Sequence, residues 1–278
     1  MLKMLHERTV SPRDTAKVLD ALGRNPVASC MVTARIEEFG VEPASLGGRL
    51  WTHGDPGESL CFAGVNLIPL LGSDTDMRYF AGRAARGPRT CSSLVGPADL
   101  VLSMWDELES SWGPAREVRE RQPLMALTDT PAVAPHPGVR PAHLPDLDEY
   151  MRAAVAMFTS EVGVDPCTGD GGRAYRRRVT NSIIAGRSYV LLDGPTVAFK
   201  AEVGALSERV GQIQGVWVRP DLRGQGLGAT GTAAVAAAVL RQGRIPSLYV
   251  NDFNVSARKA YQRIGFREVG TFATVMVH

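Results

Sequence analysis

The sequence predicts a mixed α/β (α+β) fold, a mostly antiparallel sheet flanked by helices, in two domains in tandem. Three observations carry this. Both halves contain a pair of short strand patterns around a turn: residues 50–53 and 59–67 around Gly54-Asp55-Pro56-Gly57, and residues 188–193 and 196–204 around Gly194-Pro195. Amphipathic helix patterns are interleaved with these strands throughout. Between the halves, residues 128–141 hold Pro131, Pro135, Pro137 and Pro141, which stiffen the chain and deny a helix. The expected division is residues 1–130, a linker at 131–138, and residues 139–278.

Composition supports this and excludes some functions. The chain has 278 residues, 44% hydrophobic and 22% charged, enough for two ordinary cores. A net charge of +2 argues against a nucleic-acid partner, which calls for dense basic patches. No apolar run nears the roughly 20 residues that span a bilayer, so no membrane partner is expected. Residues 1–10 lack the apolar core of a signal peptide, and Cys30, Cys61, Cys91 and Cys167 show neither a CxxC pair nor zinc spacing. These features point to a cytoplasmic protein with reduced thiols and no metal.

In the first half, residues 11–22 read as a helix capped by Ser11, opened by Pro12 and stopped by Gly23. Residues 26–36 are compatible with strand or helix. After the first hairpin, residues 74–86 read as helix, 90–95 as strand, 97–110 as a helix with Leu100, Val101, Met104, Trp105 and Leu108 on one face, and 117–127 as strand.

In the second half, residues 139–140 begin a strand. A helix over 146–161 presents Leu147, Tyr150, Met151, Ala154, Val155 and Phe158 on one side. A loop over 162–172 and a helix over 175–184 follow; the run Arg176-Arg177-Arg178 would face solvent or an anionic acceptor, and solvent is the expected side. In the strand 196–204, Val197, Phe199, Ala201 and Val203 share one face and Lys200 and Glu202 the other.

The stretch with chemistry of its own is 215–242. The apolar strand Val216-Trp217-Val218 ends at Arg219-Pro220, and Arg223-Gly224-Gln225-Gly226-Leu227-Gly228 leads into a small-residue helix beginning near Ala229. A helix start leaves N–H groups unpaired at the positive end of its dipole, and glycines let an anion approach them closely, which suits a diphosphate. Arg223 adds a charge with fixed donors. The spacing does not fit a Walker loop or a dinucleotide fingerprint. Downstream, Leu248-Tyr249-Val250-Asn251 leads to Asn254-Val255-Ser256-Ala257-Arg258-Lys259-Ala260-Tyr261, then Gly265-Phe266.

In these two elements the sequence resembles the GCN5-related N-acetyltransferases (GNAT family). The resemblance covers residues 139–277, about half the chain. It implies direct acetyl transfer from acetyl-CoA to a primary amine of a small molecule, peptide or protein. Val216, Trp217 and Val218 would pair with the pantetheine arm as an added strand. Arg223, Gly224, Gln225, Gly226, Leu227, Gly228 and Ala229 would hold the pyrophosphate, and Asn254 and Tyr261 would complete the cofactor site. Tyr261 would protonate the leaving thiolate. Its other reading is a core tyrosine, and Asn254 is also a plausible helix cap. The base is open. Members that acetylate ribosomal-protein N-termini carry Glu where this chain has Tyr249; Glu202 is the alternative carboxylate, and a surface residue or a Lys200 salt bridge is its plainer reading.

The element order of the first half is similar to the family's, so a diverged GNAT-like domain is expected there. Its equivalent loop, residues 71–76, has one glycine, no Arg, and Asp74 and Asp76 at the helix start. Those carboxylates would fill or repel an anion site, so this half is not expected to bind CoA. The competing function is a non-catalytic CoA-binding regulatory module.

Overall fold

The computed structural model describes residues 7–278. In chain order its elements are β1 (Glu7–Thr9), α1 (Thr15–Gly23), α2 (Pro26–Phe39), α3 (Pro43–Leu46), β2 (Gly48–His53), β3 (Leu60–Gly64), β4 (Asn66–Leu71), α4 (Asp74–Arg86), β5 (Ser93–Pro97), α5 (Ala98–Trp112) and β6 (Glu117–Ala126). Then come β7 (Arg140–Pro141), α6 (Leu147–Val162), α7 (Arg173–Ile184), β8 (Ser188–Asp193), β9 (Thr196–Leu206), β10 (Val210–Val218), α8 (Leu227–Leu240), β11 (Ile245–Tyr249), α9 (Val255–Ile264) and β12 (Arg267–Met276). Apart from the short α3, one order occurs twice: strand, two helices, three strands, helix, strand, helix, strand.

The chain forms two compact units. The first takes the described residues through Met125, Tyr249–Phe253 and Glu268–His278; the second takes Ala126–Leu248 and Asn254–Arg267. This differs from the expected division in two places. The second unit begins at Ala126, ahead of the proline-rich stretch, and the last strand of the chain lies in the first unit.

In the first unit the strands run β1-β2-β3-β4-β5-β12-β6. Neighbours from β1 to β4 are antiparallel, β4 and β5 are parallel across α4, and β12 runs antiparallel to β5 from Phe272↔Pro97 to Met276↔Ser93. Its core gathers Met77 and Phe80 from α4, Val101, Met104 and Leu108 from α5, and Ala273, Val275 and Val277 from the chain end. Residues 59–67 form no single strand: β3 stops at Gly64, Val65 stands 68% exposed at a tight tip, and β4 returns antiparallel. The ambiguous stretch after Pro26 is a helix, because Asn25 accepts from Ala28 N–H at 3.3 Å and Pro26 opens the first turn.

In the second unit the strands run β11-β10-β9-β8-β7, antiparallel except for β10 and β11. Helix α8 is apolar almost all round and correspondingly buried. At Gly231 a Cβ would lie 2.6 Å from the Phe199 ring, so only glycine lets helix and strand come this close. Tyr150, Ala154, Val179, Ile183, Val190 and Val197 form the core beneath α6 and α7. Strand β9 is therefore covered on both faces. The plainer reading of Glu202 as a surface residue is overturned: Glu202 is 3% exposed, and Lys200 on the same face 0%.

Among the described residues no helix is long and apolar enough to cross a membrane. In the signal-peptide reading of residues 1–10, residues 1–6 lie outside the described residues.

Candidate active site

The site of the second unit is built where β10 leaves its neighbours. Pairing of β10 with β11 is registered only from Val210↔Ile245 to Gln212↔Ser247. On the other side, Gln214 pairs with Glu202 but Trp217 pairs with Lys200, so Gly215 and Val216 stand against Ala201 alone. This is a β-bulge, and Gly215 takes φ +59° to make it. The bulge removes backbone groups from the ladder just before Val216, Trp217 and Val218.

Past β10 the chain turns through Pro220–Leu222 into the glycine loop. Gly224 and Gly226 have φ of +78° and +86°, and Gly226 is the N-cap of α8 with no side chain capping the helix. A Cβ on either residue would meet nothing within 4 Å, so the space over these amides is open. Thr230 and Ala229 N–H bond back to Gly226 carbonyl oxygen, which fixes the first turn; Leu227 and Gly228 lie within it. Gly228 packs near Val218, its Cβ position 3.6 Å from Cγ2. Arg223 Nε donates to Val218 oxygen at 3.1 Å and Gln225 Nε2 to Asp221 oxygen at 3.2 Å, so both brace the loop. Arg219 is held by Asp193, Asp221 and Thr196.

The corresponding loop of the first unit differs in one decisive respect. There Asp76 accepts from Ser73 N–H at 2.8 Å and Ser73 Oγ at 2.7 Å, a capping box at the start of α4. Burial would raise the Asp76 carboxyl, but Ser73 and His53, whose Nδ1 lies 2.7 Å away, hold it below the usual carboxylate range.

Asn254 caps α9, accepting from Ala257 N–H at 3.2 Å. Tyr261, about two turns of helix on, is 7% exposed, edge-on to Phe266 at 6.1 Å. Burial, aided by the Glu161 charge, pushes the phenol well above its ordinary value, so it keeps its proton at neutral pH.

Beneath α6 and α7 lies a charged cluster that the sequence reading placed outside. Glu202 Oε1 accepts from Gln214 Nε2 at 2.8 Å and from Arg178 Nη1 at 3.1 Å. Burial would raise this carboxyl; Arg178, Lys200 and Gln214 outweigh burial and hold it below the ordinary range. The Glu202 partner is thus Arg178, from the run expected to face solvent, while Arg176 pairs with exposed Asp148. Lys200 Nζ is buried without a hydrogen-bond partner, 5.5 Å from the Tyr150 ring centroid. Burial pushes its amine down to about 8 against the pull of Glu202. Tyr249, where the resemblance sought a Glu, packs against Phe272 at 5.4 Å.

Arg178, Gln214, Gly215 and Glu161 were missed from sequence. The available signal was Lys200 and Glu202 within a strand whose neighbouring helices both carry apolar faces, which implies cover and hence buried partners.

With this geometry established, similarity to known proteins adds the following. Residues 194–277 match a family model described as FR47-like protein, and residues 48–150 match one described as Domain of unknown function (DUF4081). No curated protein matches the sequence. Among solved structures, an acetyltransferase of the GNAT family from Colwellia psychrerythraea is similar at 12% identity and TM-score 0.58, covering 98% of this chain and 100% of its own. A Drosophila protein is similar at 13% identity and TM-score 0.69, covering 98% and 99%. A GCN5-related N-acetyltransferase from Sphaerobacter thermophilus is similar at 18% identity and TM-score 0.54, covering 99% and 96%. At these identities the likeness is one of fold: the chain has a GNAT-like fold.

Proposed function

We propose that the second unit is an acetyl-CoA-dependent N-acetyltransferase acting on a primary amine. The observation that carries this reading is the contrast between the two loops. One helix start is closed by the Ser73–Asp76 capping box; the other, at Gly224–Gly228, is uncapped, open and braced by Arg223. An open helix N-terminus after two left-handed glycines fits a pyrophosphate. The bulge at Gly215 and the early end of β10–β11 pairing leave strand edges for the pantetheine arm.

The step is a direct displacement. The amine nitrogen attacks the thioester carbonyl carbon, the C–N bond forms, the C–S bond breaks, and the amine proton ends on the thiol. Tyr261 is the group we assign to protonate the thiolate: burial keeps its hydroxyl protonated at neutral pH. We keep Glu202 in the site as counter-charge to Arg178 and Lys200. A carboxylate held ionised by two donors on one oxygen is a weak base, so water is assigned to take the proton from the acceptor ammonium. The first unit is read as a diverged copy without a CoA site.

Calorimetric titration of the full chain with acetyl-CoA tests the cofactor assignment. Thiol release across amino sugars, polyamines and peptides then tests turnover. Tight binding with no thiol release from any acceptor would favour a non-catalytic CoA-binding module.

A further inference from the structure

The cover that α6 and α7 lay over Lys200 and Glu202 ends at Gly204, which is exposed, as is Gln214 on β10. A Cβ on Gly204 would lie 2.1 Å from Gln214 Cδ, so the Gln214 side chain lies over Gly204 while its amide donates to Glu202. At this open end stands Arg178, its side chain 46% exposed. Its guanidinium is fixed from two sides: Nη1 donates to buried Glu202 Oε1 at 3.1 Å, and Cζ lies 5.1 Å from the Tyr175 ring centroid. The bond to Glu202 is single, and it goes to an oxygen that already accepts from Gln214 at 2.8 Å. In the same unit Arg140 commits both terminal nitrogens to Asp146, at 2.7 and 2.9 Å. Arg178 gives Glu202 one, although a guanidinium carries five donors in a fork that matches a carboxylate.

We propose that Arg178 binds a carboxylate of the acceptor, so that the favoured acceptor carries a carboxylate and the reacting amine in one molecule. This rests on the acyl-transfer reading above. Under that reading the arm runs from the loop at 224–228 back along Val218 to Val216, and its thioester end meets the bulge at Gly215. Gln214 is the next residue, and it shares Glu202 Oε1 with Arg178. The guanidinium is thus tied to the residue beside the bulge, and its exposed part is open to an acceptor in solution. Glu202 and Tyr175 hold it in place before the acceptor arrives, so little side-chain freedom is lost on binding. A half-exposed ion pair is screened by water, so the gain over an uncharged acceptor is moderate, about five- to tenfold.

Thiol release from acetyl-CoA by the full chain, measured with matched acceptors, tests this. The acceptors are straight-chain amino acids of increasing length, each beside its own carboxamide, and short peptides whose N-terminal amine is followed by Asp or by Asn. In the wild type at least one carboxylate should exceed its uncharged partner about five- to tenfold in kcat/KM, the difference lying in KM. A preference among the free amino acids identifies a small-molecule acceptor; one confined to the Asp peptides identifies a peptide acceptor, and both support the proposal. In Arg178→Gln the ratio should fall to near one, and Arg178→Lys, which keeps the charge without the fork, should recover part of it. An ion pair that only holds the fold would lower the melting temperature of Arg178→Gln and leave the ratio unchanged. Arg178→Gln strands Glu202 without its guanidinium; if it does not fold, Arg178→Gln combined with Glu202→Gln removes both charges and should give the same ratio near one. A wild-type ratio near one for every pair overturns the proposal, as does a preference that survives in a folded variant lacking Arg178. Thiol release with none of these amines overturns the acyl-transfer reading, and the proposal with it, and is thereby distinguished from turnover without preference.

Discussion

Tyr261 and Lys200 are both buried polar side chains, yet they invite opposite expectations for stability. Tyr261→Phe keeps the ring and its buried area, so the melting temperature should hardly move. If the hydroxyl protonates the leaving thiolate, the chemical rate should fall on the order of 10²-fold, at the low end for a general acid because a thiolate leaves readily. Single-turnover kinetics beside thermal melts separate the two; unchanged turnover would remove Tyr261 from the mechanism. Lys200 should titrate in the stability curve. Its folded value of about 8 lies below the ordinary 10.5, so between these the unfolded chain binds more protons and stability rises with pH. The rise amounts to a few kcal/mol at about 1.4 per pKa unit. Lys200→Met should abolish this rise and melt higher than wild type at pH 7, because a buried ammonium without a hydrogen bond, whose desolvation outweighs the pull of Glu202, is replaced by an apolar chain of similar length. Denaturant melts from pH 7 to 10.5 check the sign; a flat wild-type curve would mean that the amine is already satisfied.

At the scale of elements, the glycine loop and α8 were legible because the constraint is local. Left-handed φ at Gly224 and Gly226 and an Ala-rich helix are written into adjacent residues. Gly226→Val should therefore weaken acetyl-CoA binding by at least about tenfold, or 1.4 kcal/mol. A β-branched residue resists φ +86°, and its side chain would enter the open space over the amides. Arg223→Ala should cost less, since backbone donors remain. Calorimetry on folded variants checks the order, and equal affinity in Gly226→Val and wild type would exclude the loop as the phosphate site. Strand β9 was misjudged for the opposite reason. Alternation at Lys200 and Glu202 is the pattern of a half-exposed strand, and only α6 and α7, 22 or more residues away in sequence for Arg178, decide that both faces are covered. The tip at Val65 was likewise invisible, because an apolar residue in a two-sided apolar run gives no turn signal.

For the whole molecule, the twofold repetition of element order was readable from the strand and helix patterns, whereas the destination of the last strand was not. Pairing of β12 with β5 joins residues far apart in the chain, and no local signal records it. The consequence is that the repeats and the compact units do not coincide: cutting the chain at the proline-rich stretch would leave the first unit without a strand between β5 and β6. Val275 and Val277, 0% and 7% exposed, close the core formed by α4 and α5. Their burial contributes about 1.5–3 kcal/mol each, so together roughly 3–6 kcal/mol, before the lost ladder with Ser93–Pro97 is counted. Against a typical total of roughly 5–15 kcal/mol, that loss should unfold the unit. A chain ending at Phe266 should thus lose the cooperative transition of the first unit while every residue of its sequence repeat is still present. Trp51, Trp105 and Trp112 lie in that unit and Trp217 in the other, so fluorescence of the Trp217→Phe background isolates it. A peptide of residues 267–278 added in trans should restore part of the transition, in proportion to its concentration. A truncated chain that melts as the full one does would mean that the first unit closes without β12.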